Sequence, residues 1–126
     1  MTVALWCVMF ATVLPLLSAA IAKAGDRSFD NRQPRAWLAA QTGLRARANA
    51  AQQNSWEALM VFAAGVFAAH LSGGPQPIVD KIAVAFIAVR VLYIGFYVAD
   101  LSTLRSIVWL AGYVLSLSLF FSALMH

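Results

Sequence analysis

Length, composition and charge restrict this chain to few classes of protein. Of its 126 residues 62% are hydrophobic and 11% charged, whereas soluble domains carry about 25% charged residues. Too few polar side chains exist to cover a water-facing surface, which excludes a soluble enzyme, a disordered tail and a coiled-coil rod. The net charge of +4 is concentrated in one segment, since six of nine basic residues lie between Lys23 and Arg47, and we expect no nucleic-acid partner.

The first apolar segment, residues 3–22, contains no charged residue. Its length spans a hydrocarbon core of about 30 Å as a helix. A secretory signal peptide is the alternative, because small residues follow Ser18, but no Lys or Arg precedes the apolar run. We therefore predict a membrane anchor, in which neighbouring helices compensate for the helix-breaking Pro15.

A polar, basic loop over residues 23–43 separates this segment from three further predicted helices. The second helix, residues 44–71, exceeds the bilayer core, so its first turns project from the membrane. The Gly- and Pro-rich residues 72–77 and the turn at 100–103 delimit the third and fourth helices, residues 78–98 and 104–125. The prediction is an all-α, integral membrane four-helix bundle forming one domain over residues 1–126.

The distribution of basic residues predicts the orientation, because Lys and Arg near helix ends are retained in the cytoplasm. The first loop and its flanks hold six of them, Arg105 lies on the same side, and the second connection offers only Lys81. The basic loop is therefore predicted to be cytoplasmic, with both termini on the non-cytoplasmic side.

Polar residues on the second helix form a stripe. Arg47, Asn54 and Glu57 fall within about 80° of one another at 100° per residue. An ionisable group at the centre of a membrane costs about 2.5–3.5 kcal/mol, so each needs a partner or a function. The stripe can bind a charged, hydrogen-bonding ligand; alternatively, Arg47 lies in the interface and Glu57 pairs with an arginine for packing.

Two further groups of polar residues follow on the third and fourth helices. Arg90, Tyr93 and Tyr97 share one face, and we predict that the buried Arg90 pairs with Glu57. Arg105 and Ser106 begin the fourth helix, where a permanent positive charge beside a hydroxyl can stabilise a thiolate. The alternative for Arg105 is a side chain that extends to the interface.

Metal or disulfide chemistry has little support in the sequence. Cys7 is the single cysteine and stands in an apolar run. His70 and His126 each end a predicted element without an accompanying carboxylate, so we expect no metal site.

The same residues carry a resemblance to a known family. The segment from Arg47 to Glu57, Arg-Ala-Asn-Ala-Ala-Gln-Gln-Asn-Ser-Trp-Glu, resembles the second-helix signature of the membrane-associated proteins in eicosanoid and glutathione metabolism, the MAPEG family. Arg90 with Tyr93 and Tyr97, and then Arg105-Ser106, are similar to the third- and fourth-helix signatures. The resemblance covers nearly the whole chain.

This resemblance implies a homotrimer that binds glutathione between subunits near the cytoplasmic face. The residues implied to hold glutathione are Arg47, Asn54, Glu57, Arg90, Tyr93 and Tyr97, while Arg105 and Ser106 match the position that stabilises the thiolate. Ala50, Gln52 and Tyr93 stand where the animal enzymes carry basic residues. The chain thus resembles a bacterial-type relative of microsomal glutathione S-transferase, expected in the inner membrane.

Three function classes are compatible with these features. The first is a glutathione-dependent transferase or peroxidase that acts on a lipophilic electrophile or hydroperoxide. The second is a non-catalytic membrane protein of the same fold that binds a lipid-like ligand. A small multidrug transporter is a weaker alternative, because it places its membrane carboxylate in the first helix, and residues 3–22 contain none.

Overall fold

A computed structural model describes residues 1–125, and these residues form helices and connecting turns without a strand. In chain order the helices are α1 Val3–Ala11, α2 Val13–Lys23, α3 Pro34–Ala39, α4 Gly43–Leu71, α5 Gln76–Val98 and α6 Ser102–Phe121, followed by a 3-10 turn, Ser122–Leu124. The expectation of an all-α chain is confirmed.

The first two helices form one apolar segment with a local interruption at Thr12. Pro15 has no N–H to donate to the Ala11 carbonyl, so the regular hydrogen bonding stops there. Thr12 keeps helical angles (φ −69°, ψ −21°), and its hydroxyl donates to the Met9 carbonyl at 2.6 Å. The helix direction is therefore carried through the break, and the segment extends to Lys23 as a membrane-length unit.

Within residues 1–125, three helical segments are long and apolar enough to cross a membrane. They are Val3–Lys23, Gln76–Val98 and Ser102–Leu124, of 21, 23 and 23 residues. Helix α4 has 29 residues but is not among them, because its first half carries the polar stripe and two arginines. The three apolar, membrane-length segments thus precede and follow α4, whereas α4 contributes polar groups.

The long helices pack side by side around an apolar core. Helices α4, α5 and α6 contact one another, and the α1–α2 segment lies against α4 and α5. At the centre, the rings of Phe62 and Phe86 stack with centroids 3.9 Å apart and planes 8° apart. Leu119 of α6 is fully buried in the same cluster. This core fixes the relative positions of the three helices that carry the site.

Several helix boundaries differ from those predicted: α6, for example, begins at Ser102 rather than at residue 104 and ends at Phe121. Helix α5 begins at Gln76 and contains Pro77, because a proline in the first turn removes only an N–H that has no helical acceptor. The loop contains an additional short helix, α3, with Pro34 at its first position. Leu38 on α3 is buried with Ala22 and Ala48, so this turn anchors the loop against α2 and α4.

Candidate functional site

A cleft of about 210 Å³ opens between α4, α5 and α6. Its polar end is formed by Asn54, Glu57 and Arg90, at the level of the helices nearer the basic loop. Its other residues are mostly small or aromatic: Ala58, Val61, Phe86, Trp109, Gly112, Tyr113 and Ser116. The cleft is thus amphipathic, with hydrogen-bonding groups at one end and an apolar wall beyond them.

Arg90 is the most deeply buried charged residue in the described part of the chain, at 2% exposure. Its Nη2 donates to the Ser55 hydroxyl at 3.3 Å, and its Cζ lies 4.0 Å from the centre of the Tyr93 ring. Neither contact supplies a negative charge. The guanidinium therefore lines the cleft with most of its five donors uncommitted.

The predicted ion pair between Arg90 and Glu57 is wrong. The single ion pair within 4.0 Å among residues 1–125 joins Arg45 to Asp26 at 3.7 Å. Glu57 is exposed at the surface of the cleft and accepts a hydrogen bond from Asn54 Nδ2 at 3.4 Å. The carboxylate thus has the Asn54 amide as its hydrogen-bond partner and lies at the rim of the cleft rather than against Arg90.

Two amide oxygens on α4 are buried without a hydrogen-bond donor. They are Asn54 Oδ1, at the polar end of the cleft, and Gln52 Oε1, which lies between α3 and α4. A buried acceptor left unpaired costs about 1–3 kcal/mol. Both positions therefore suit a donor from a ligand or from another chain.

Two tyrosines lie between two arginines along α5 and onto α6. We call Arg90, Tyr93, Tyr97 and Arg105 the arginine–tyrosine row. The rings of Tyr93 and Tyr97 meet edge to face, with centroids 5.6 Å apart and planes 82° apart. The Arg105 Cζ lies 4.5 Å from the centre of the Tyr97 ring. The common face predicted from the spacing on α5 is observed, and the row extends it to the start of α6.

Arg105 and Ser106 both line a shallow groove at the start of α6, and Arg105 also contacts the Tyr97 ring. Arg105 is half-buried on the Tyr97 ring and precedes the cleft residue Trp109 by one helical turn. Ser106 is exposed in a shallow groove with Ser102 and Leu110. Adjacent residues differ by about 100° around a helix, yet both of these side chains border the groove, so Ser106 lies beside Arg105 there.

Arg47 caps a helix in this structure. Its Nε and Nη2 donate to the Val98 carbonyl, the last of α5, at 3.3 and 3.2 Å. Arg45 makes the equivalent contact to the Ala22 carbonyl near the end of α2, at 2.9 Å. Cations at helix C-termini are favoured by the helix dipole, so both arginines stabilise the junction of α4 with its neighbours. Arg47 does not line the cleft.

The loop beside α4 is ordered by Asp26. Its carboxylate accepts from the Ser28 hydroxyl at 2.6 Å and the Ser28 amide at 2.8 Å, and it faces Arg45. These Ser28 hydrogen bonds, with a smaller contribution from Arg45, hold the pKa of Asp26 below its usual value. The basic loop thus contains an internal anionic anchor.

Sequence reasoning missed Asp80 and the apolar wall of the cleft. Asp80 accepts hydrogen bonds from the Ala4 amide at 2.8 Å and from Gln76 Nε2 at 2.7 Å, so it caps the N-terminus of α1. The sequence offered one signal for this: Asp80 follows Gln76 by four residues, a spacing that lets the two side chains hydrogen-bond on one helix face. Phe86, Trp109 and Tyr113 carry no such signal, because aromatic residues in apolar helices equally suit lipid contact.

The histidines and Cys7 were the remaining candidates for metal chemistry. Among residues 1–125 no three His, Cys, Asp or Glu side chains lie close enough to hold a metal ion. His126 is outside the described residues. Cys7 packs against the apolar core cluster.

The fold and site define a small all-helical membrane protein with a buried arginine, Arg90, in a cleft between its helices. The sequence profile of the MAPEG family matches residues 3–125. The protein therefore belongs to the MAPEG family, which includes glutathione-dependent transferases and peroxidases. No curated protein and no solved structure matches the chain significantly. The family resemblance stated from the motifs is confirmed.

Proposed function

We propose that this protein is a glutathione-dependent transferase or peroxidase of the membrane. The observation that carries the proposal is Arg90, which is 2% exposed, lines the cleft and has no carboxylate within 4.0 Å among the described residues. A buried guanidinium requires an anion, and a ligand carboxylate can pair with it through two N–H groups. Glutathione brings two carboxylates, an ammonium and a thiol.

The remaining polar groups of the site complement the rest of the tripeptide. The unpaired Oδ1 of Asn54 can accept from an amide N–H, and the exposed Glu57 carboxylate can bind the ammonium. Arg47 and Tyr93 border the same end of α4 and α5, where they complete the set that we assign to glutathione, and Tyr97 lies next to Tyr93.

A second copy of the chain would enlarge the site. The cleft of about 210 Å³ in one subunit is smaller than the roughly 300–1,000 Å³ of small-molecule sites, and Glu57 and Trp109 at its edge are exposed. We propose a homotrimer of four-helix bundles in which α4 is the fourth span, shielded by its neighbours.

In the proposed reaction Arg105 stabilises the glutathione thiolate by its permanent charge, and Ser106 is its assigned hydroxyl neighbour. The sulfur then forms a bond to the electrophilic carbon as a leaving group departs or a strained C–O bond opens. In the peroxidase reaction two glutathione molecules become the disulfide, while the hydroperoxide becomes an alcohol and water. The apolar wall around Phe86 and Trp109 would hold the lipophilic substrate.

Thiolate formation tests this proposal directly. Purified protein in nanodiscs is titrated with glutathione at neutral pH, and the thiolate absorbance is followed by ultraviolet difference spectroscopy. We expect the absorbance in the wild type and in Arg32→Ala, which removes an exposed loop arginine. Arg105→Ala should lose both the absorbance and the conjugation of a hydrophobic electrophile. Equal thiolate in wild type and Arg105→Ala would remove Arg105 from the mechanism.

The second candidate is a non-catalytic protein that binds a lipid-like ligand. The observation favouring it is the apolar wall of the cleft, where Trp109 and Tyr113 stack with centroids 5.6 Å apart and remain exposed. Equilibrium binding of labelled glutathione separates the candidates. Folded protein that fails to bind it at millimolar concentration would favour the lipid-binding function.

We propose that the basic loop faces the cytoplasm of a bacterial cell, with both termini across the inner membrane. The loop lies between the first membrane-length segment and α4, and it carries Arg27, Arg32 and Arg35 at its exposed surface. Labelling of single cysteines from either side of the membrane tests this, once Cys7 is replaced by Ala. Residue 32 should react only after the inner membrane is permeabilised.

A further inference from the structure

The guanidinium of Arg105 is held by an aromatic ring rather than by an anion. Its Cζ lies 4.5 Å from the centre of the Tyr97 ring. Within residues 1–125 no carboxylate lies within 4.0 Å of it, and no side-chain hydrogen bond holds it. The ring of Tyr97 is therefore its principal contact in the described chain.

This mode of contact keeps the guanidinium available. A cation over the face of a ring is attracted by the ring quadrupole and commits no N–H donor to the contact. A carboxylate partner would occupy two donors and cancel much of the positive charge. A ring thus fixes the position of Arg105 while its charge and its donors remain directed at another anion.

The Tyr97 ring is itself held in place along α5. Tyr93 meets it edge to face at 5.6 Å, and Tyr93 is 4% exposed and lies against Arg90. The arginine–tyrosine row thus links the buried end of the cleft to Arg105 through ring contacts alone, and a phenol hydroxyl takes no part in them.

We propose that Tyr97 is a positioning residue, whose ring face orients Arg105 toward the glutathione thiolate, rather than a residue that binds glutathione through its hydroxyl. This inference rests on the proposed function for its catalytic consequence. The orientation of Arg105 by the ring is a property of the protein alone, and it can be measured without glutathione.

The experiment compares Tyr97→Phe, which keeps the ring, with Tyr97→Leu and Tyr97→Met, which remove it. Nitrogen-15 NMR of the free protein reports the ring-current shift of the Arg105 Nε–H, assigned with Arg105→Lys. Thiolate absorbance against pH reports the apparent pKa of bound glutathione, and steady-state kinetics separates kcat from KM. Phe67→Leu, an exposed aromatic on α4, controls for general loosening.

We expect Tyr97→Phe to keep the Arg105 shift and to retain the thiolate fraction within about twofold. Tyr97→Leu and Tyr97→Met should lose the shift, and their thiolate fraction at neutral pH should fall about fivefold. Their kcat should fall in parallel, while KM for glutathione should change little. Using two replacements keeps the test decisive if one of them fails to fold.

Two outcomes would overturn the inference, and a third would support it while rejecting the proposed function. An Arg105 shift unchanged in Tyr97→Leu would overturn it, as would a loss of thiolate in Tyr97→Phe equal to that in Tyr97→Leu, which would assign the effect to the hydroxyl. An Arg105 shift that depends on the ring, in a wild type that forms no thiolate, would support the orientation and reject the glutathione reaction.

Discussion

Gly65 of α4 lies directly against the backbone of α6 at Ser116. A β-carbon on Gly65 would lie 2.8 Å from the Ser116 carbonyl oxygen and 3.0 Å from the Leu119 Cβ. Both neighbours belong to the core side of α6, and neither is a flexible side-chain end. Glycine at this position therefore sets the distance between the two helices that form opposite walls of the cleft.

Gly65→Ala is expected to destabilise the protein by about 1–3 kcal/mol, because the added methyl group must push α6 away. The measurement is the midpoint of unfolding in detergent at fixed lipid content. Gly95→Ala is the matched control, since a β-carbon there meets nothing within 4 Å. It should be neutral or stabilising by up to about 1 kcal/mol. Equal destabilisation by both substitutions would contradict the close approach.

Arg90 is buried without a carboxylate within 4.0 Å among the described residues, which predicts that stability and binding respond in opposite directions to its replacement. Arg90→Met replaces a buried guanidinium by an apolar side chain, so the unfolding midpoint of the free protein should not fall. Glutathione affinity should fall about 10- to 100-fold, through the loss of a charge-assisted hydrogen bond. Isothermal titration and thermal unfolding, each with and without glutathione, measure the two effects.

Arg32→Ala should leave both quantities near the wild-type values, because Arg32 is exposed in the loop. A marked loss of stability in Arg90→Met without glutathione would show that Arg90 serves packing. In that case Arg90 would no longer be evidence for an anionic ligand.

Asp80 predicts a local effect at the opposite end of the helices from the basic loop. Asp80→Ala removes the acceptor for the Ala4 amide and should destabilise the start of α1 by about 1 kcal/mol. Hydrogen exchange at residues 4 and 5 measures this. Asp80→Asn retains an oxygen acceptor and should preserve most of the protection, while glutathione binding stays unchanged in both variants.

How far the sequence determines these features differs between fold and site. The charge-free residues 3–22 and the breaks at 72–77 and 100–103 were enough to delimit the first, third and fourth apolar helices, because membrane length and helix breakers are local properties. The short helix α3 was missed, since its stability depends on Leu38 reaching a pocket formed by distant helices.

The site was predicted only in part, because contacts between helices are not set by spacing along the sequence. Spacing placed Arg90, Tyr93 and Tyr97 on one face, but it could not give the partner of Arg90, which depends on the rotation of α4 against α5. That rotation directs Ser55 toward Arg90 and leaves Glu57 at the surface. Helix periodicity fixes neighbours within a helix, whereas contacts between helices follow from packing.

Asp26 predicts a pH dependence of the loop. Its pKa is lowered in the folded protein, chiefly by the two Ser28 hydrogen bonds, so its contribution is present above the unfolded value of about 3.9. That contribution is lost as the pH falls through the lower, folded value. Protection of the Ser28 amide from hydrogen exchange should thus persist at pH 5 and decline below about pH 4.

Asp26→Asn should remove this pH dependence, because it leaves no carboxylate to protonate. Asp30→Asn is the control, since Asp30 binds the Arg32 amide elsewhere in the loop. Ser28 protection that declines equally in the wild type and in Asp26→Asn would assign the transition to another group.

Gly112 lies on the wall of the cleft, next to Arg90 and Phe86. A β-carbon at this position would lie 3.5 Å from Val89 Cγ1 and 3.8 Å from Arg90 Cδ, which are ordinary contacts. Gly112→Ala should therefore be tolerated, whereas Gly112→Leu should fill much of the apolar part of a cleft of about 210 Å³. With the proposed function, Gly112→Leu should raise KM for the lipophilic substrate about tenfold, because the leucine would displace one to two methylene groups of the substrate from the cleft.

The glutathione thiolate provides the internal comparison for this variant, because its proposed partner Arg105 lies on the Tyr97 ring and does not line the cleft. The thiolate absorbance should remain near the wild-type value in Gly112→Leu, and kinetics with a small and a large electrophile should show the larger loss for the large one. An equal loss for both electrophiles, with thiolate retained, would place the lipophilic substrate outside the cleft.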